Sequence, residues 1–254
     1  MKWSELFEFM IERDPAFAAT VVGANESDLE TCQRELDIVL PAAHVDFLCS
    51  MGVDSGYYLP FGPGMDSNFY HILRQIPTED YDIRNYFPIA LETDSSRCPM
   101  FDLYLDLSRP IEADAIVLEA ENGSDWTPRK SDPITLLERL TESAWRTFEA
   151  PRHAANRMLN VRVDPGADFA PVRALILATL ENLGHTPVLP RQKRFDCLGT
   201  KTEASIVHVQ DQFRIIQVII AANDEKQLSR IAESFLDNVP KSSIDERMPS
   251  LPLP

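Results

Sequence analysis

The sequence predicts an α+β protein with two domains. Helical patterns with end signals alternate with short strand patterns along both halves of the chain, which is typical of this class. The charge differs between the halves. Residues 1–150 hold 11 Lys and Arg against 28 Asp and Glu, a formal net charge of −17, whereas the remainder holds 13 against 12. We therefore expect an acidic domain over residues 1–150, a linker over residues 150–156 and a smaller α+β domain over residues 157–239.

Three helices are predicted to open the first domain. The first covers residues 3–13 and is ended by Asp14-Pro15. Asn25 is a favourable N-cap for the second helix. Pro41 fits the first position of the third helix, and we expect Gly52 to end that helix in the left-handed conformation. Apolar residues three and four positions apart give the second helix one buried face: Leu29, Cys32 and Leu36.

The rest of the first domain alternates strands and helices. The patterns predict a short strand at residues 56–61, a short helix at 68–76, strands at 100–107 and 115–121, and a closing helix from Asp132-Pro133 to Phe148. Leucines alternate with Asp102, Tyr104 and Asp106, so we expect the latter to form a solvated strand face. Asp102 and Asp106 lie about 13 Å apart along a strand, too far to share a metal ion without other ligands.

The second domain is predicted to combine a sheet with two helices. A strand holds Leu159, Val161 and Val163, and a helix over residues 172–183 is capped by Gly184. A hairpin then joins residues 205–209 to 213–221, and the last helix covers residues 228–235. This order favours a small α+β sandwich with a ferredoxin-like outline. The tail, residues 240–254, is rich in proline, and we expect it to be disordered.

Two blocks of the first domain resemble the SUKH superfamily of Smi/Knr-type domains, over about residues 20–148. The first block is a capped acidic helix followed by Leu40-Pro41, Phe47-Leu48 and Gly52. The second block is Tyr86-Phe87-Pro88-Ile89-Ala90 and then Tyr104-Leu105-Asp106-Leu107-Ser108. The chain departs from the family pattern at His44, where an aromatic is usual, at Met51-Gly52 in place of Asn-Gly, and at residues 94–99 in place of a glycine-rich turn. The resemblance implies a mixed α/β domain with an antiparallel sheet.

No pattern of residues indicates catalysis, so we expect no enzyme activity, no metal and no cofactor. The five histidines are scattered, and no pair has the spacing of zinc ligands. His44 is expected to be a packed or partly exposed ring, and Cys197 an ordinary strand or loop cysteine. The basic cluster at residues 191–194 is too small to indicate a phosphate site, and a solvated loop is expected there.

The sequence also predicts a cytoplasmic protein. Its four cysteines lack CxxC spacing, which favours free thiols in a reducing compartment. The first residues lack the basic start and apolar centre of a signal peptide. No apolar run approaches the roughly 20 residues that cross a bilayer, so we expect no membrane partner. The acidity of the first domain argues against nucleic acid as its partner, because phosphates would be repelled.

The acidic domain offers a candidate partner-binding surface, in which tyrosines and acidic residues are interleaved in predicted loops and at strand ends. Tyrosine rings bury area at interfaces and carboxylates steer a basic protein, so this composition suits a basic partner. The alternative is that the tyrosines belong to the core and the acids only solvate the domain. The candidate residues are Asp54, Tyr57, Tyr58, Asp66, Tyr70, Glu79, Asp80, Tyr81, Asp82, Glu92 and Asp94.

The resemblance implies a function that the residues alone do not. Most bacterial members of the family look like immunity proteins, which bind a toxin delivered by a competing cell. We therefore expect a non-enzymatic immunity protein that occludes a basic toxin domain of the nuclease or deaminase type. One alternative is a regulatory protein–protein adaptor of the Smi/Knr type without a toxin partner. Another is an enzyme whose site is assembled from distant residues.

Overall fold

The protein is a mixed α+β structure in which both sheets are antiparallel. The computed structural model describes residues 1–76, 82–94, 96, 100–109, 111–121, 134–211 and 213–244. The chain divides into two compact units, residues 2–143 and residues 144–254 together with Met1. Residues 2–143 hold 10 Lys and Arg against 27 Asp and Glu, so the whole excess of negative charge, −17, lies in the first unit.

The first unit contains helices followed by a four-stranded sheet and a closing helix. Its helices are α1 (Trp3–Arg13), α2 (Glu26–Leu36), α3 (Ala42–Met51), α4 (Phe69–Gln75) and α5 (Leu136–Ala144). Its strands are β1 (Met65–Asp66), β2 (Tyr86–Glu92), β3 (Phe101–Asp106) and β4 (Val117–Glu121). The strands neighbour one another in chain order, β1-β2-β3-β4.

The helix pair α2–α3 follows from local signals at its ends. The Asn25 side chain accepts a hydrogen bond from the Ser27 amide at 2.9 Å, which satisfies one of the free amides of the first turn of α2. At the other end of α2, Asp37 takes the left-handed conformation, with φ 53°. The Gln33 side chain then accepts from the Leu40 amide at 2.9 Å. The left-handed Asp37 and the Gln33 side chain together fix the connection between α2 and α3.

The expected left-handed cap at Gly52 is wrong. Gly52 has φ −69° and ψ −10°, which is right-handed. Glycine is required there for a different reason, because an added Cβ would lie 2.7 Å from the Leu48 carbonyl oxygen. The backbone of residue 52 lies directly against the last turn of α3, and this close approach leaves no room for a side chain.

The solvated face predicted for β3 is also wrong. Asp102 is 4% exposed, and Tyr104 and Asp106 are equally buried. The consecutive residues of β3 from Asp102 to Asp106 are all buried, so neither face of the strand is open to water. The carboxylate of Asp102 accepts the Glu92 amide at 2.7 Å, and that of Asp106 accepts the Ser108 hydroxyl. These hydrogen bonds offset part of the free-energy cost of burying the two carboxylates.

Two further expectations for the first unit need correction. Residues 56–61 form turns rather than a strand, because Gly56 has φ +61° and the Gly62 amide bonds to the Leu59 carbonyl. The predicted cap Asp132-Pro133 lies outside the described residues. The Asp114 carboxylate accepts the Leu137 amide at 3.2 Å and so caps the first turn of α5.

The second unit is a six-stranded sheet with two helices on one face. A π turn (Trp145–Glu149) and a 3-10 turn (Ala150–Arg152) come first; only the 3-10 turn lies within the linker expected over residues 150–156, and the last two residues of that linker already belong to the first strand. The elements that follow are β5 (Ala155–Arg162), α6 (Phe169–Asn182), β6 (Thr186–Pro187), β7 (Phe195–Gly199), β8 (Glu203–Gln210), β9 (Ile215–Ala222), α7 (Glu225–Asn238) and β10 (Ser242–Ile244). The strand order is β10-β5-β9-β8-β7-β6, and the ferredoxin-like outline stays a prediction.

Apolar side chains of α6 and α7 cover one face of this sheet. Ile176 of α6 and Ile231 of α7 belong to one cluster with Leu159, Val207 and Val218 of the strands. The hairpin predicted around residue 211 is formed by β8 and β9.

The tail is ordered over a short stretch where disorder was expected. Ser242 pairs with Val161, so residues 242–244 add an edge strand to the sheet. This pairing depends on a strand some 80 residues earlier in the chain, which local composition does not indicate. Residues 245–254 lie outside the described residues. In the parts of the chain that the structure describes, no helix has the length and apolarity needed to cross a membrane.

Candidate functional site

Tyr57 lies on a surface formed by two distant segments of the first unit. The backbone of Val22 pairs with that of Asp54, with N–O distances of 2.8 and 3.0 Å. Two residues further along, Gly56 packs against Thr20, whose Oγ1 would lie 2.4 Å from an added Cβ. The Tyr57 hydroxyl donates to the Asp14 carboxylate, and its ring stays 48% exposed. The pairing therefore places two carboxylates and one exposed aromatic ring on the same surface.

Tyr70 makes a second tyrosine–carboxylate contact, in this case with a residue of α2. The side chain projects from α4, and its hydroxyl donates to the Asp28 carboxylate at 2.7 Å. The same hydroxyl accepts a hydrogen bond from the Asn25 amide. Asp28 lies in the first turn of α2, where the helix dipole favours a negative charge. We refer to Asp14, Val22, Asp28, Asp54, Tyr57 and Tyr70 as the acid–tyrosine surface.

The two tyrosines of the acid–tyrosine surface are held in their neutral, hydrogen-bond-donating form. Burial of the hydroxyl and its hydrogen bond to Asp14 raise the pKa of Tyr57 to about 12. The hydrogen bond to Asp28 raises the pKa of Tyr70. Each ring is therefore fixed beside a carboxylate by a hydroxyl that keeps its proton. A flat ring next to a negative charge suits a guanidinium or ammonium group.

A second acidic feature lies between α4 and the sheet. A cavity of about 470 Å³, here called the acidic cleft, is lined by Asp66, His71, Arg74, Gln75, Leu91, Glu92, Thr93 and Asp102. Asp66 binds the His71 ring at 2.8 Å and accepts the Asn68 amide at 2.9 Å. The Glu92 carboxylate accepts the Asp94 amide. No group of three possible metal ligands occurs among the residues described.

Tyr58 does not belong to the surface, and its assignment as a partner-binding residue is wrong. Its side chain is fully buried, and its hydroxyl donates to the Leu140 carbonyl of α5 at 2.8 Å. Burial raises the pKa of Tyr58. The neighbouring Tyr57 points outward because the chain turns at Gly56, a left-handed residue, and so does not follow strand alternation.

The remaining predicted site residues are scattered. Asp82 is exposed before β2, where it accepts hydrogen bonds from the Arg84 amide and the Asn85 side chain. No hydrogen bond or ion pair found among the described residues joins it to the acid–tyrosine surface or to the acidic cleft. Glu79, Asp80 and Tyr81 lie outside the described residues. Asp14 and Asp28 were missed, because their role depends on tyrosines more than 40 residues away in the chain.

His44 is part of the core of the first unit. Its ring centroid lies 6.3 Å from that of Phe47 and 5.7 Å from that of Phe87. Burial lowers the pKa of His44 to about 3, so the ring is neutral. Its Nδ1 has no hydrogen-bond partner in the described part of the chain. A packed ring, one of the two expectations for this residue, therefore fits the structure, and a metal-binding role does not.

The basic cluster of the second unit is a loop in which Arg191 and Lys193 are exposed, as expected, and of its three cations Arg194 alone departs from the predicted solvated loop. Arg194 is buried, pairs with Asp211 and donates to the Val209 carbonyl. Arg191 pairs with Glu181 of α6. The cluster thus lines one side of a cavity along α6, and its arginines are neutralised by carboxylates of the same unit.

Ser205, His185 and Glu203 form a chain of polar contacts in the second unit. Ser205 Oγ lies 3.2 Å from His185 Nδ1, and His185 Nε2 lies 3.4 Å from Glu203. The three residue types occur together in hydrolases, but all three side chains are buried here. The serine hydroxyl has no access to a substrate, so the arrangement is structural.

No family model matches this chain, and no curated protein matches it.

Proposed function

We propose that the chain is a non-enzymatic immunity protein whose first unit is a SUKH-type domain. In this proposal it acts in the cytoplasm, where it binds and occludes a basic toxin domain of the nuclease or deaminase type. The observation that supports this most is the acid–tyrosine surface, where the exposed ring of Tyr57 and the partly buried ring of Tyr70 are fixed beside carboxylates on a unit with formal charge −17.

Charge supports a basic protein partner. A field from 17 excess negative charges attracts a basic surface over about one Debye length, roughly 8–10 Å at physiological salt. Such steering raises association rates to about 10⁸ M⁻¹s⁻¹ or above. Fast association matters to an inhibitor that must act before its target causes damage. Nucleic acid is disfavoured as a partner of this unit by the same charge.

Local geometry supports binding through the acid–tyrosine surface. Tyr57 and Tyr70 each have a hydroxyl already bound, so little side-chain freedom remains to be lost on association. Val22, whose backbone pairs with that of Asp54, is 51% exposed and adds apolar area. Rigid aromatic rings with neighbouring charges are the residues on which interface binding energy usually concentrates.

The order of elements is compatible with the family resemblance. The Leu40-Pro41 joint lies between α2 and α3, and the two strands of the second block pair as β2 and β3. A closing helix, α5, follows. This order supports the family resemblance, which the immunity protein and the adaptor share, and the charge favours a basic partner.

The proposal is tested with the product of the neighbouring reading frame, co-expressed with the full chain. We expect that product to be toxic alone, to be harmless with this chain and to co-purify with it. A variant with Asp14→Asn, Asp28→Asn and Asp54→Asn should lose protection, since it removes three charges and keeps the side-chain shapes. The control variant Glu225→Gln, Glu233→Gln and Asp237→Asn removes as much charge from the second unit and should protect fully.

Two results would overturn the proposal. If the neighbouring product is not toxic and this chain instead co-purifies with a protein from unstressed cells, the adaptor function is favoured. If the surface variant protects as well as the control, binding does not use the acid–tyrosine surface. Retention of the urea unfolding midpoint by both variants ensures that the comparison concerns binding and not folding.

A further inference from the structure

Tyr57 has the more exposed of the two rings in the acid–tyrosine surface, and its position is fixed. The ring is 48% exposed, whereas that of Tyr70 is partly buried. Its centroid lies 5.4 Å from that of Phe17, a fully buried residue, and the two ring planes meet at 63°. Its hydroxyl donates to the Asp14 carboxylate. The buried ring and the carboxylate therefore hold Tyr57 in place while about half of it stays open to a partner.

The Asp14 carboxylate can accept further hydrogen bonds beside this ring. Its Oδ1 accepts the Ala16 amide at 3.0 Å, and its Oδ2 accepts the Tyr57 hydroxyl. A carboxylate offers about four acceptor positions, so about two remain for donors of a partner. The amide and the hydroxyl also fix the direction of the carboxylate, which lowers the entropy lost when a partner binds.

No Lys, Arg or His of the described residues forms an ion pair with Asp14. The guanidinium of the neighbouring Arg13 lies elsewhere. Its Cζ is 3.6 Å from the centroid of the Phe9 ring, and it pairs with Glu12. Asp14 also ends α1, at the negative end of the helix dipole. The carboxylate and the helix end therefore both favour a positive group of a partner at this position.

An arginine suits this position better than a lysine. A guanidinium is flat, stacks on aromatic faces and presents several N–H donors that match a carboxylate, whereas an ammonium is compact and strongly hydrated. The chain itself places arginines on rings in two places, Arg13 over Phe9 at 3.6 Å and Arg214 over Phe169 at 4.6 Å. Arginine is also enriched at protein interfaces, where lysine is depleted.

We propose that Tyr57 and Asp14 bind an arginine side chain of the basic partner. The guanidinium lies on the exposed ring and donates to the carboxylate. The inference rests on the proposed function for the identity of the partner, and it names the residue type that this surface recognises. Tyr57 distinguishes arginine from lysine, whereas Asp28 beside the partly buried Tyr70 attracts both alike.

The test uses two probes of equal charge, N-acetylarginine methylamide and N-acetyllysine methylamide, titrated against the full chain. Binding is followed by nuclear magnetic resonance through the amide signals of residues 14 and 57. We expect the arginine probe to bind about threefold more tightly, because an exposed ring adds a modest attraction for a cation stacked on it. The charge of the first unit acts on both probes alike, so the ratio of their affinities reports the contribution of the ring.

Variants at one position separate the ring from the charge. Tyr57→Leu removes the ring and should bind the two probes equally, whereas Tyr57→Phe keeps the ring and should keep the preference for arginine. Phe213→Leu is the control, since it removes a ring of the second unit that is 62% exposed and should leave the preference unchanged. Equal binding of the two probes by the unchanged chain, no shift at residues 14 and 57, or a preference that survives Tyr57→Leu would overturn the proposal.

Failure of this proposal differs from failure of the proposed function. If the product of the neighbouring reading frame binds this chain and the two probes bind equally, the proposed function stands and the assignment of arginine to Tyr57 is wrong. If that product neither harms cells nor binds this chain, the proposed function is wrong, whichever probe binds more tightly.

Discussion

Tyr57 and Tyr58 are adjacent in sequence, yet the structure predicts that removing their hydroxyl groups affects different properties of the protein. Tyr58→Phe deletes a buried hydrogen bond to the Leu140 carbonyl and leaves that oxygen without this donor. Tyr57→Phe deletes a bond from a half-exposed ring to Asp14, and water can replace it. We therefore expect Tyr58→Phe to affect stability and Tyr57→Phe to affect binding.

The magnitudes follow from burial. A buried acceptor deprived of its donor costs about 1–3 kcal/mol, whereas a surface change of this kind usually stays within about 0.5 kcal/mol. With a urea m-value of about 2 kcal/mol/M, Tyr58→Phe should lower the unfolding midpoint of the first unit by about 0.5–1.5 M. Tyr57→Phe should leave the midpoint unchanged.

Urea unfolding followed by tryptophan fluorescence and circular dichroism makes the comparison. Equal midpoints for the two variants, or a larger loss for Tyr57→Phe, would refute the assignment of Tyr58 to the core. Binding of the neighbouring gene's product serves as the complementary readout. In the absence of urea, where Tyr58→Phe is folded, this variant should bind the product normally.

Three further predictions concern the stability of the first unit. Gly52→Ala places a Cβ 2.7 Å from the Leu48 carbonyl oxygen and should cost about 1–3 kcal/mol in urea unfolding; a neutral effect would contradict that close approach. His44 has a folded pKa of about 3 against about 6.5 when unfolded, so the unfolded chain binds more protons below pH 6.5 and stability falls by about 2 kcal/mol between pH 6.5 and 5. His44→Phe should remove this part of the pH dependence, and an unchanged slope would show that the ring is not buried neutral. Asp114→Ala removes the acceptor of the Ala115 and Leu137 amides and should cost about 1–3 kcal/mol by the same assay, whereas no loss would mean that other groups cap α5.

Local signals in the sequence predicted the helices well. Asn25 caps α2 as predicted, and Gly184 takes the left-handed conformation after α6. These features depend on a few neighbouring residues, which is why they can be predicted without a structure. The mixed α+β class followed from the same signals.

Burial could not be predicted from alternation alone. Asp102 and Asp106 alternate with leucines as a solvated face would, but consecutive residues of β3 are buried, so both of its faces are covered. The strand at residues 242–244 depends on pairing with β5, far away in the chain. Such outcomes are set by tertiary neighbours, which override local pattern.

The candidate site was predicted only in part for the same reason. Asp54, Tyr57 and Tyr70 were predicted from composition and stay candidate residues, whereas Asp14 and Asp28 join the acid–tyrosine surface through hydrogen bonds between distant segments. Composition alone gave Tyr58 the same assignment as Tyr57. The turn at Gly56, which separates these two rings, is a backbone feature that a strand pattern does not indicate.

The salt dependence of association tests the central claim most directly. Rate constants for binding of the neighbouring gene's product to the full chain would be measured by stopped-flow fluorescence between 20 and 500 mM NaCl. Attraction between an acidic surface and a basic protein predicts a steep fall of the rate with salt, and a clearly shallower fall for the Asp14→Asn, Asp28→Asn and Asp54→Asn variant. A rate that does not change with salt, or the same slope in both proteins, would contradict it.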